Sequence, residues 1–188
     1  MISTYFQLGF THILDLAGYD HMLFLLLLIS GIKLNQRKEL LGLITAFTLG
    51  HSIALALVTL YKPLIPSNLV EFLIPITILI TGLQNLLSKS STLKWKVSLT
   101  LFFGLIHGMG FASYLTALMP HNSSVWQPLL FFNLGVEAGQ IVFAGLFISL
   151  MLLIPFTSKT TVQRIQNIIS VIGVVISIFL AASNWPYL

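Results

Sequence analysis

The stretch LLGLITAFTLGHSIALALVTLY, residues 40–61, decides the fold. It is a nearly unbroken apolar run, and about 20 residues rising 1.5 Å each are enough to cross a hydrocarbon layer roughly 30 Å thick as a helix. One ionisable side chain, His51, stands near its middle. An ionisable group at that depth costs roughly 2.5–3.5 kcal/mol on insertion scales, so it needs a partner or a task.

Outward from this run, similar stretches lie near 17–34, 69–88, 97–119, 128–155 and 163–183. Composition agrees: of 188 residues, 56% are hydrophobic and only 7% charged. A soluble domain carries about 25% charged residues, so this chain cannot coat a water-facing surface. Turn and charge signals separate the runs, at Asn35 to Glu39, Lys62 to Asn68, Lys89 to Lys96, Pro120 to Ser124 and Pro155 to Thr161. Connections this short make neighbouring helices antiparallel. The expected fold is all-α: one polytopic transmembrane domain over 1–188, a bundle of about six helices, with an outer amphipathic segment over 1–16.

Counted by alternate loops, Lys33, Arg37, Lys38, Lys89, Lys94, Lys96, Lys159 and Arg164 fall on one side and Lys62 on the other. The positive-inside rule then places both termini on the non-cytoplasmic side of the cell's inner membrane. There is no basic n-region and no small-residue cleavage site ahead of Gly18, so the first helix is expected to insert uncleaved. The net charge of +4 resides in these loops and reads as topology, which makes the lipid bilayer the expected partner and nucleic acid not one. A homo-oligomer or an accessory membrane partner stays open. With no cysteine in the chain, a disulfide, a thiolate metal site and a cysteine nucleophile are all excluded, and any metal is held by nitrogen and oxygen.

Several polar side chains stand inside the apolar runs. Thr48, His51 and Ser52 share one helix face at i, i+3, i+4 spacing. His107 sits between Gly104 and Gly108, which admit a neighbouring backbone and turn this helix face to the bundle interior. Asn133, Glu137 and Gln140 follow at i, i+4, i+7 as one polar stripe. No Lys or Arg stands at the depth of Glu137, so its available partners are His51, His107, a proton or a metal. The N-terminal region offers His12, Asp15, Asp20 and His21 at the outer mouth, with Asp15 expected to cap locally. Phe47-x-x-x-His51 and Phe103-x-x-x-His107 recur at matching depths on two helices that run the same way. A set of imidazoles and carboxylates suits divalent Zn, Ni, Co or Fe. The plain alternative is that these residues only bond helices to one another.

The blocks Gly18-Tyr19-Asp20-His21-Met22-Leu23-Phe24, Thr45-Ala46-Phe47-Thr48-Leu49-Gly50-His51-Ser52, Phe103-Gly104-Leu105-Ile106-His107-Gly108-Met109-Gly110-Phe111-Ala112 and Phe132-Asn133-Leu134-Gly135-Val136-Glu137-Ala138-Gly139-Gln140, with His12-Ile13 ahead of them, resemble the HupE/UreJ family of membrane proteins. That family is associated with hydrogenase and urease accessory genes and is regarded as a set of nickel or cobalt permeases. The resemblance implies metal uptake through a bundle of about six helices, a span count set by apolar length, with His12, Asp20 and His21 as metal contacts. Between His12 and Asp20 the chain carries Ile13 to Tyr19, two residues more than the family's usual spacing. His107-Gly108 begin the nickel-permease pattern His-Gly-x-Ala-His-x-x-Glu, but Gly110, Phe111 and Tyr114 stand where its Ala, His and Glu belong.

Three functions compete. The first is a permease for a divalent transition metal (Ni, Co or Zn), with His12, Asp20, His21, His51, His107 and Glu137 as metal contacts and Thr48, Ser52, Asn133 and Gln140 in support. In that reading Asp20 and His21 receive the ion and pass it to His51, His107 and Glu137. The second is an intramembrane zinc hydrolase acting on a lipid or peptide, with Glu137 or Asp20 as general base and Ser52 as an orienting donor. The third is a non-transporting accessory protein.

Overall fold

A computed structural model describes residues 2–33, 36–61, 63, 65–87, 92–119, 124–153 and 159–186, and all regular structure among them is helical. The turn signals at Asn35, Lys62, Lys89, Pro120 and Pro155 lie outside the described residues. The chain folds as α1 (Ile2–Leu14), a 3-10 turn (Leu16–Gly18), α2 (Tyr19–Ser30), α3 (Arg37–Tyr61), α4 (Ser67–Leu87), α5 (Leu93–Ala117), α6 (Trp126–Leu153) and α7 (Lys159–Ser183).

Helices α3 to α7 are each long and apolar enough to cross a bilayer, and α1 with α2, bent by 69° at the turn between them, brings the number to six if the pair is one broken span. The surface confirms the solvent: Leu49, Phe102, Leu146, Val175 and Phe179 are among many large apolar side chains facing outward. Inside, histidine, threonine, asparagine and glutamine are buried among the phenylalanines and leucines. An interior more polar than the surface is the pattern of a bundle whose outer medium is hydrocarbon.

Most of the N-terminal segment 1–16, expected as an outer amphipathic stretch, is the helix α1, which packs along α6. The other main pairs are α3 with α5 and α4 with α7. Lipid supplies no hydrophobic force between helices, so close backbone approach has to hold them together. Glycine permits it at two interfaces. A Cβ on Gly104 would strike the Phe47 carbonyl oxygen and one on Gly50 the Leu101 carbonyl; Gly9 and Gly135 meet the Phe132 and Phe6 carbonyls in the same way. Both pairs run parallel, residue numbers rising together across the contact. They bring the His51 backbone against Gly104 and Gly108, which flank His107, and the His12 ring to 5.8 Å from that of Phe132 on α6.

Helix ends are secured by specific groups. Thr92 caps α5, accepting from the Trp95 N–H. The last turn of α2 is bonded from three sides: Asn85 of α4 donates to the Leu27 carbonyl, Lys96 of α5 to Gly31, and Gln166 of α7 to Ile32. Pro75 inside α4 leaves the carbonyl four residues back without its helical donor. That carbonyl, of Glu71, accepts instead from Asn184 beyond α7 at 3.2 Å.

Candidate metal centre

The break between α1 and α2 places the end of one helix and the start of the next inside the bundle. His12 comes from the last turn of α1, and Asp20 and His21 from the first turn of α2. Against them stand His51 of α3 and His107 of α5, each about 15 Å of helix from the far end of its span. The imidazoles form one cluster. Ring centroids are 4.5 Å apart for His12–His21, 5.1 Å for His21–His107, 6.1 Å for His21–His51 and 6.2 Å for His12–His51.

Two groups of ligand atoms come within 4.8 Å of one another: His12, His21 and His51, and Asp20, His21 and His107. His21 belongs to both. Metal–nitrogen bonds of about 2.0–2.1 Å put two ligands of one tetrahedral ion roughly 3.4 Å apart, so small side-chain rotations close either group on an ion.

The hydrogen bonds to these imidazoles decide which nitrogen stays free. Thr77 donates its only hydroxyl proton to the Ile74 carbonyl (2.7 Å), leaving its oxygen to accept from His107 Nε2–H at 2.9 Å. Asn133 donates its amide to the Leu129 carbonyl (2.8 Å), so its oxygen accepts from His51 Nδ1–H at 3.3 Å. Asp20 Oδ1 accepts from both the backbone N–H of His21 (2.9 Å) and its Nδ1–H (3.1 Å). Each of these three rings therefore keeps a lone pair on its other nitrogen.

Those nitrogens are the ones left alone. Among the described residues, the buried side-chain atoms with no partner are Nε2 of His12, His21 and His51, Nδ1 of His107, and Oγ of Ser30. A buried polar atom without a partner costs about 1–3 kcal/mol. Four partnerless imidazole nitrogens in one cluster, three of them fixed as acceptors, are a donor set for a cation, and the residues fit a divalent metal held by nitrogen and oxygen. Phe111, Phe132, Phe47 and Phe24 wall the cluster, with Phe111 4.0 Å from the His12 ring and Phe47 and Phe24 each 5.2 Å from that of His107. A cavity of about 310 Å³ opens onto it, lined by Asp20, His21, His107, Pro75, Glu71 and Asn184 among others.

The structure thus gathers His12, Asp20, His21, His51 and His107 at one place. Glu137 stands elsewhere: its carboxylate accepts from Thr45 at 2.7 Å and belongs to neither ligand group. The carboxylate beside the imidazoles is that of Asp20. Thr48 donates to Gln140 (2.9 Å) and Ser52 to the Thr48 carbonyl (2.6 Å), so these three support α3 and its contact with α6. Asn133 alone of the four supporting residues touches a histidine. Sequence reasoning missed Thr77, whose position one turn before Thr81 on a helix containing Pro75 was its only signal. Glu71, in the first turns of α4, also lines the cavity.

The chain matches the family described as HupE / UreJ protein over residues 1–185. No curated protein and no solved structure matches it.

Proposed function

That this chain belongs to the HupE/UreJ family is the premise from which we propose that it is a permease carrying a divalent transition-metal ion, nickel, cobalt or zinc, across the cell's inner membrane. One observation carries the reading: four buried imidazole nitrogens, three of them on rings whose other nitrogen is occupied by Asp20, Asn133 or Thr77, lie together within the span. The ion is cargo. It reaches the cluster from the cavity beside Asp20 and Glu71 and exchanges between the two ligand groups by pivoting on His21, their common member. Few ligands in each group favour release, and the broken α1–α2 span is the kind of discontinuous helix on which transporters build midplane sites.

Titration of the purified protein with nickel, cobalt and zinc tests this. Loss of His21 removes a ligand from both groups, so His21→Ala is expected to weaken binding by more than the 10–100-fold typical of an outer-shell partner, and to abolish metal uptake into proteoliposomes. Unchanged affinity in His21→Ala, His51→Ala and His107→Ala would overturn the assignment.

A second reading, the zinc hydrolase, draws on the His12–His21–His51 group. Three nitrogen ligands beside a cavity leave a fourth position for water, the arrangement of catalytic zinc, with Asp20 as the adjacent base. Stoichiometric zinc that survives dialysis, in a protein that takes up no metal, would favour it.

A further inference from the structure

At the opposite end of the bundle from the cavity beside Asp20 lies a larger one of about 640 Å³. Its wall comes from the end of α2, the start of α3, the end of α4 and the starts of α5 and α7, and includes Ser30, Lys33, Glu39, Asn85, Lys96 and Thr100. This is the end that carries the basic loops. Several hydroxyls buried in this bundle donate to a carbonyl one turn back, as Thr81, Ser170 and Ser177 do. Ser30 does not. It is 6% exposed and its hydroxyl has no protein partner, so this wall presents a polar group to whatever fills the cavity. A water takes about 30 Å³, so a cation with six waters occupies roughly 180 Å³ and is readily accommodated.

One layer of side chains separates this cavity from the metal centre. Each of the three most buried histidines has a phenylalanine one turn nearer the basic end: Phe24 follows His21, Phe47 precedes His51 and Phe103 precedes His107. All three rings are buried, and Phe24 links the other two: it stacks on Phe47 with centroids at 4.9 Å and meets Phe103 edge-on at 6.2 Å. Phe24 and Phe47 touch His107, while Phe103 lines the larger cavity. The repeated Phe-x-x-x-His spacing of α3 and α5 therefore supplies two of the three rings of an aromatic layer joined through Phe24, one helical turn from the histidines. A hydrated divalent ion cannot cross such a dry constriction while it is closed.

We propose that Phe24, Phe47 and Phe103 form the closed inner gate of the permease and that the polar cavity beyond them is the vestibule into which the hydrated metal ion is released. The structure is then the state open towards Asp20 and Glu71, and transport requires the three rings to part. The proposal rests on the permease reading, but its test needs no metal.

The chain has no cysteine, so Ser30→Cys introduces a unique thiol. In oriented membrane vesicles, a small membrane-impermeant thiol reagent is expected to modify it from the basic-loop side and at least tenfold more slowly from the other. Adding Phe24→Ala should raise modification from the opposite side at least tenfold. Phe103→Leu, which removes a ring while keeping an apolar side chain, provides a milder opening should the alanine variant misfold. Equal modification of Ser30→Cys from both sides, none from the basic-loop side, or folded Phe24→Ala and Phe103→Leu backgrounds that leave the asymmetry intact would overturn the gate. Any of these would leave the metal titrations of the histidine variants standing.

Discussion

At the scale of single residues, the centre is organised by which nitrogen of each ring is occupied. Thr77, Asn133 and Asp20 each hold one imidazole N–H, so each ring offers its other nitrogen in a set orientation. Thr77→Val keeps the shape of the side chain but removes the acceptor, and His107 is then free to change tautomer and rotate. Metal affinity is expected to fall by about 10–100-fold with the fold retained, measurable by calorimetric titration. Glu137→Gln is expected to leave that affinity within about threefold of wild type, far short of an outer-shell loss, because its carboxylate bonds Thr45 and belongs to neither ligand group. A collapse of metal binding in Glu137→Gln would mean that α6 closes on the ion during the cycle. His51 and His107 were legible as candidate site residues from the sequence because ionisable groups at membrane depth stand out. Thr77 was not, since threonines in apolar helices commonly bond back to their own helix, as Thr81 does.

At the scale of elements, two parallel glycine-mediated pairs and one broken helix place the ligands. The α3–α5 pair sets His51 against His107 through backbone contact at Gly50 and Gly104, where a methyl group has no room. Gly104→Ala is expected to destabilise the protein by about 1–3 kcal/mol or more and to weaken metal binding with it. Gly145 of α6 has open space around its Cα, and Gly145→Ala is expected to be neutral or stabilising by up to about 1 kcal/mol, since alanine is the better helix former. Chemical or thermal unfolding in bicelles compares the two directly. The α1–α2 break brings His12 to 4.5 Å from the His21 ring although the intervening segment carries two residues more than the family's usual spacing. The 3-10 turn at Leu16–Gly18 takes up part of that segment, which spacing along the chain does not reveal.

At the scale of the whole molecule, a polar core inside an apolar coat leaves one cavity at each end with the histidine cluster and its phenylalanine layer between them. By the positive-inside rule the end rich in Lys and Arg is expected to face the cytoplasm, so reporter domains fused to the N- and C-termini are both expected to lie on the non-cytoplasmic side, as read by a compartment-sensitive enzyme fusion. A cytoplasmic signal from either fusion would reverse the direction assigned to the two cavities. The sequence by itself determined that the chain is a helical membrane bundle, because apolar run length and charge scarcity are set by the thickness and dielectric of the bilayer and are local properties. It also singled out the buried histidines, since their cost in hydrocarbon is local too. Only the tertiary structure decided that Asp20 joins them while Glu137 stands apart, that His21 is shared by two ligand groups, and that the three phenylalanines form one layer. Those depend on helix crossings and backbone approach, which are set by contacts between residues far apart in the chain.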